Sequence, residues 1–112
     1  MGVRDINSLE WLGVELALNR YFFSQRQHCR ILATLIRHAG LTVRSEEIVK
    51  NTAYAADAMK VHICHLRQAM EDLGFACKIE NVKGAGYRLS ESGAAEIMAR
   101  IVATLDYVAE AA

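Results

Sequence analysis

The chain has no proline, no low-complexity tract and no internal repeat, so only glycines and helix-capping residues are left to separate its segments. It also lacks an apolar run of about 18 residues, and Met1 is followed by the charged Arg4 and Asp5 instead of a basic and then an apolar leader. Neither a membrane span nor an export signal is expected. Cysteine is scarce: Cys29, Cys64 and Cys77 are odd in number and widely spaced, unlike the disulfide framework of a secreted domain. A reducing cytoplasm is the expected location. Net charge is missing as well, with 13 Lys and Arg against 13 Asp and Glu, which argues at first against a nucleic-acid partner because phosphate binding normally leaves an excess of cations.

The distribution of charge reverses that argument. Between Arg20 and Arg88 there are eleven Lys and Arg against six Asp and Glu, a net of +5, while residues 1–19 carry −2 and residues 89–112 carry −3. A basic centre between acidic ends suits a DNA-binding core flanked by segments with another task. With 112 residues, 53% of them hydrophobic, the chain can build one real core.

Four blocks follow along the chain. From Leu9 to Phe22, the residues Leu9, Leu12 and Leu16 fit a helical spacing, although Leu12, Val14, Leu16 and Leu18 also alternate as a strand would. Gly13 costs a helix roughly 1 kcal/mol, and helix is the reading adopted. The second block opens at Ser24 with Gln27 three residues on, a capping-box pattern, and continues with Ile31, Leu32, Leu35 and Ile36 until Gly40. After the extended Leu41-Thr42-Val43, Ser45 with Glu46 and Glu47 starts a short helix expected to reach about Asn51.

The third block carries the most information. Met59, Ile63, Leu66, Met70 and Leu73 recur at steps of 4, 3, 4 and 3, which defines one buried helix face between Asp57 and Leu73. The opposite face holds Lys60, Val61, Cys64, His65, Arg67 and Gln68, a mixture of cationic, polar and small apolar groups unlike an ordinary solvated Glu/Lys lattice. Such a surface can meet base edges. Gly74 ends the helix, and Lys78 to Val82, then Lys83-Gly84-Ala85-Gly86, then Tyr87-Arg88-Leu89 read as a hairpin with a cation at its tip. The last block, Ser92 to Ala112, is a helix capped by Ser92 with Ile97, Ile101, Leu105 and Val108 on one side. Its polar face is acidic, so packing against the core or another chain is expected of it.

The order helix, short helix, long helix, glycine-tipped hairpin is that of a winged helix-turn-helix. The residues Val61-His62-Ile63-Cys64-His65-Leu66-Arg67 and Val82-Lys83-Gly84-Ala85-Gly86-Tyr87-Arg88-Leu89 resemble the OmpR/PhoB-type effector domain of bacterial response regulators, with its V-H-I-x-x-L-R helix and V-R-G-x-G-Y-R-[LF] wing. Phe23-Ser24 and Val43-Arg44-Ser45-Glu46-Glu47 resemble that family's helix starts. The resemblance covers roughly residues 23–90. It implies that the Asp57–Leu73 helix lies in the major groove and the hairpin tip at the adjoining minor groove or its phosphates. Residue by residue, it places Lys60, Val61, Cys64, His65 and Arg67 of the helix and Asn81 and Lys83 of the wing at DNA. Cys64 and His65 stand where the family usually has arginines, so the bidentate guanine contacts of arginine are missing there. Only 22 residues precede Phe23, too few for a phosphoacceptor receiver domain, and the short Asn51–Ala56 stretch replaces the longer loop that meets RNA polymerase in family activators.

Other chemistries fit less well. His28, Cys29, His62, Cys64 and His65 invite a zinc reading, but Cys64 and His65 are helix neighbours about 100° apart, whereas a structural site uses i, i+4 pairs or a C-x-x-C knuckle. No metal and no cofactor is expected, and His62 is read as supporting the wing or a phosphate. A Cys–His nucleophilic pair has no recognisable third residue or oxyanion loop beside it, and Gly84-Ala85-Gly86 joins strands instead of preceding a helix, so an enzyme is not expected.

The expectation is therefore a mostly α fold with a small β-hairpin: an N-terminal helical segment (1–22), a winged helix-turn-helix (23–90) and a C-terminal helix (91–112). Its expected function is sequence-specific binding of double-stranded DNA as a bacterial or phage transcription regulator, with a possible protein partner in the transcription machinery. The alternative is a winged-helix protein-interaction module that modulates another regulator. A homodimer is expected, with Ile97, Ile101, Leu105 and Val108 pairing with their equivalents or with Leu9, Leu12 and Leu16 of a second chain.

Overall fold

A computed structural model describes residues 8–111, with side chains over 11–105 except at position 51. Leu9 and Val108, both named for the dimer, thus have side chains outside the described residues. The elements run α1 (Ser8–Tyr21), α2 (Arg26–Arg37), α3 (Ser45–Ile48, extended by a 3-10 turn Val49–Asn51), a second 3-10 turn (Ala56–Ala58), α4 (Met59–Asp72), β1 (Glu80–Val82), β2 (Gly86–Arg88) and α5 (Glu91–Ala111). This is the mostly α winged helix expected from the sequence.

The ambiguous first block is a helix. Its inward face is Trp11, Val14, Ala17 and Leu18, whereas Leu12 and Leu16 are exposed. Gly13 points into open space, so the missing side chain leaves no gap in the core. Asn19 donates to the Phe23 carbonyl at 3.1 Å and holds the turn into α2, while Arg30 Nε donates to Glu15 at 3.1 Å and ties the two helices together.

Helix α2 is the centre of the molecule, burying His28, Cys29, Ile31, Leu32, Ala33, Leu35 and Ile36. The expected Ser24–Gln27 capping box is not formed: Gln25 is the cap residue and makes no side-chain cap bond. Gln27 instead accepts from the Ala53 N–H at 3.0 Å, fastening the loop after α3. Ser45 likewise lies inside α3, with Arg44 as the cap residue. In α5 the cap is Ser90, whose Oγ accepts from the Gly93 N–H at 3.0 Å, two residues earlier than the Ser92 expected.

Helix α4 buries Met59, Ile63, Leu66 and Met70 as its periodicity requires. Beyond it the hairpin pairs Glu80 with Arg88, Asn81 with Tyr87 and Val82 with Gly86. A third, minimal strand joins at Val43, whose N–H donates to the Tyr87 carbonyl at 2.7 Å and whose carbonyl accepts from the Tyr87 N–H at 2.9 Å. Gly86, at φ 145°, makes this approach possible, because a Cβ there would sit 2.1 Å from the Val43 carbonyl oxygen.

The terminal helices share this core. Trp11, Val14 and Leu18 from α1 and Ala94, Ile97 and Ile101 from α5 join the same buried cluster as Ile31, Leu66 and Leu89. Ile97 and Ile101 are therefore covered by their own chain, which corrects their assignment to a dimer contact. α5 also closes the turn after α4. Glu96 accepts from the Ala76 and Cys77 N–H groups at 2.8 and 3.0 Å, and Arg100 donates to the Leu73 carbonyl at 2.9 Å while stacking over Phe75 at 4.0 Å. No helix among the described residues is long and apolar enough to cross a membrane.

Candidate nucleic-acid interface

The stripe that buries α4 also fixes what the helix shows to solvent. With Met59, Ile63, Leu66 and Met70 inside, the residues Lys60, Val61, Cys64, His65 and Gln68 are left exposed along the opposite side. Val61, at 55% exposure, is a large apolar group that its own chain covers only in part. Toward the C-terminal end this face turns acidic, with Glu71 and Asp72 exposed and Asp72 accepting from Gln68 at 3.0 Å. Phosphates would be repelled there, so the first two turns of α4 are the part of the helix suited to a polyanion.

Arg67 departs from its expected place. Its Nε donates to the Ile79 carbonyl at 2.8 Å, which binds α4 to the strand entering the hairpin, and the side chain is half-buried. The motif arginine thus serves the helix–wing geometry. In the wing, Asn81 and Lys83 are exposed, and the Lys83-Gly84-Ala85 turn is closed by the Ala85 N–H donating to the Val82 carbonyl at 2.9 Å. Arg88 is engaged with Glu80 across the hairpin, its Nε donating at 3.1 Å. The start of α3 lies beside the wing, where Arg44, Ser45 and Glu46 line a polar groove with Asn81 and Gly84 to Tyr87. Arg44 makes only a loose, exposed pair with Glu46 at 3.7 Å, worth little in water.

Of the seven residues expected at DNA, the structure gathers Lys60, Val61, Cys64 and His65 on one exposed helix face. It puts Asn81 and Lys83 on the wing and sets Arg67 behind, in the joint. His62 supports neither the wing nor a free surface. It turns toward α2, where its Nδ1 lies 3.3 Å from His28 Nε2 and its ring stacks on Tyr54 with centroids 3.5 Å apart and planes 11° from parallel. Burial, and then the neighbouring imidazoles, hold the His28 pKa below the ordinary histidine value, and His62 is lowered by the same causes. His28, His62 and Tyr54 escaped the sequence reading as a group. The sequence offered His28 and His62 only within a wider set of histidines and cysteines weighed for zinc, without Tyr54.

A tri-helical core with a short helix leading into an exposed-faced helix, followed by a two-stranded wing, defines the winged helix-turn-helix class of DNA-binding domain. Within that class, the family described as transcriptional regulatory protein, C terminal, matches residues 23–89, and the chain belongs to it. This is the OmpR/PhoB-type DNA-binding domain that the motifs of α4 and the wing resemble. No curated protein matches the chain by sequence.

Proposed function

We propose that the protein is a sequence-specific, double-stranded-DNA-binding transcription regulator of the bacterial cytoplasm, acting in a bacterial or phage programme. The first two turns of α4 enter the major groove with Lys60, Val61, Cys64 and His65 facing base edges, while Asn81 and Lys83 reach the neighbouring minor groove or its phosphates. Arg67 contributes through the joint it makes with Ile79. The observation that carries this reading is the exposed face of α4: a helix backed by an unbroken buried stripe, yet showing solvent a lysine, a half-exposed valine, a thiol and an imidazole.

A winged-helix module for protein contacts is the second reading, favoured by the zero net charge and by exposed Val61. Titration of selected genomic duplex fragments, followed by fluorescence anisotropy at several salt concentrations, separates the two. DNA binding requires affinity that falls as salt rises, with Lys60→Ala and Lys83→Ala each lowering the log–log slope by about one. If both variants stay folded and match the parent at every salt concentration, the docking is wrong. Pairing of two copies on half-sites about one helical turn apart belongs to the same proposal. It now rests on exposed Leu12, Leu16, Val102 and Leu105.

A further inference from the structure

Three histidines meet where α2 packs against the first turns of α4. His28 is buried, His62 half-buried and His65 exposed, and each offers a ring nitrogen within 4.8 Å of the other two. The closest pair, His28 Nε2 and His62 Nδ1, is 3.3 Å apart. Two nitrogens bound to one tetrahedral zinc at about 2.0–2.1 Å stand about 3.3 Å from each other, so this pair already has ligand spacing. His65 sits one turn beyond His62 and is exposed, so rotation of its side chain can bring its nitrogen toward the other two without moving backbone.

The surroundings suit a ligand set better than a packed core. Among the described residues, His28 makes its side-chain hydrogen bond to another imidazole, and the clustered ligand atoms are all histidine nitrogens. Tyr54 lies flat on His62 and fixes its ring plane, the kind of support that orients metal-binding imidazoles. An open cleft of about 450 Å³, bordered by Ser24, Gln25, His28, His65 and Asp72, gives solvent access to two of the three imidazoles. This set avoids the unfavourable geometry of the helix neighbours Cys64 and His65, because His62 takes the place of Cys64 and His28 comes from another helix.

We infer that His28, His62 and His65 form a binding site for a divalent transition metal of the zinc class, stapling α2 to the DNA-facing helix. The inference does not rest on the DNA-binding reading, and a metal-bound His65 would no longer be free to meet a base edge. Zinc added to the full-length, chelator-stripped protein should bind at one equivalent by calorimetry, with a Kd of about 10 µM or tighter. Cobalt should give visible d–d bands without a thiolate charge-transfer band. His65→Gln changes an exposed side chain, so the fold should persist by circular dichroism while zinc affinity drops at least about tenfold. Cys64→Ser should leave affinity unchanged. Absence of binding at about 100 µM zinc, a His65→Gln affinity within about twofold of the parent, or a cobalt thiolate band lost in Cys64→Ser each overturns the site.

Discussion

Replacing Gly86 by alanine tests whether the wing is held in place by one close backbone approach. A Cβ at this position would lie 2.1 Å from the Val43 carbonyl oxygen, 2.8 Å from its carbonyl carbon and 2.9 Å from Arg44 Cα. All three are backbone atoms, so no side chain can rotate aside. If the contact is kept, the backbone alone carries about 1–3 kcal/mol of strain at φ 145°, before any clash. If the contact opens, two backbone hydrogen bonds between Val43 and Tyr87 are lost at about 1 kcal/mol each, and buried Tyr87 gains exposure worth about 1.5–3 kcal/mol. Opening therefore sets a ceiling of about 3.5–5 kcal/mol, and Gly86→Ala should destabilise by about 3–5 kcal/mol. Gly84→Ala is the control. Gly84 also has positive φ, 77°, but nothing lies within 4 Å of the added carbon, so only the left-handed conformation is penalised, at about 1–2 kcal/mol. Urea unfolding followed by far-ultraviolet circular dichroism reads both values. Equal destabilisation of the two variants would refute the close-approach argument.

Glu96→Ala should cost about 2 kcal/mol, since one partly buried carboxylate holds two backbone N–H groups of the α4–β1 turn, and the same unfolding experiment checks it. Thiol reactivity gives an orthogonal test: burial pushes the Cys29 and Cys77 thiols up to about 11, in Cys77 with added repulsion from Glu96, whereas Cys64 is exposed. An aromatic disulfide reagent at mildly alkaline pH should therefore label one thiol quickly and the other two only after denaturation, with Cys77 becoming reactive in Glu96→Ala. For self-association, sedimentation equilibrium of the full chain at tens of micromolar should give a dimer mass that Leu16→Glu, on the exposed face of α1, returns to a monomer; a monomer mass for the parent excludes pairing through these helices.

What the sequence revealed, it revealed through repetition. The 4, 3, 4 spacing of Met59, Ile63, Leu66 and Met70 oriented α4 and so dictated which residues face outward, because a helix that buries one stripe has no freedom over the other. The glycines of the wing were legible for a related reason, as positive φ at Gly84 and Gly86 is a backbone requirement that few other residues meet. Features that depend on where a long polar side chain reaches were not legible. Gln27 could cap its own helix or cross to Ala53, and Arg67 could face DNA or the Ile79 carbonyl; either choice fits the same local sequence. The Ile97 and Ile101 stripe shows the same limit for apolar groups, since periodicity reports a buried face but not whose surface covers it. The three histidines needed two helices packed together, 34 residues apart in sequence between His28 and His62, before they formed a group.

The distribution of ion pairs bears on how such a protein reads DNA. The basic centre of the chain has a net of +5, yet several of its cations are already engaged: Arg67 with Ile79, Arg88 with Glu80 and Lys50 with Glu47 at 2.8 Å. On the α4 and wing surface, Lys60 and Lys83 are left without an ion pair among the described residues, with Arg44 nearby in a loose one. Each phosphate neutralised contributes a slope of about 0.9 to the log–log salt dependence, so two or three such contacts give a shallow slope of about 2–3 per bound copy. Counterion release that small supports only weak nonspecific binding, and discrimination must then come from short-range contacts at α4. Val61 is suited to a thymine methyl group and His65 to hydrogen bonding with a base edge, whereas Lys60 is the one cation on the docking turns of α4, among the described residues, suited to guanine O6 or N7. The expected site accordingly places a thymine against Val61 where α4 docks, and a preferred site with no A·T pair in that footprint would contradict the placement of Val61.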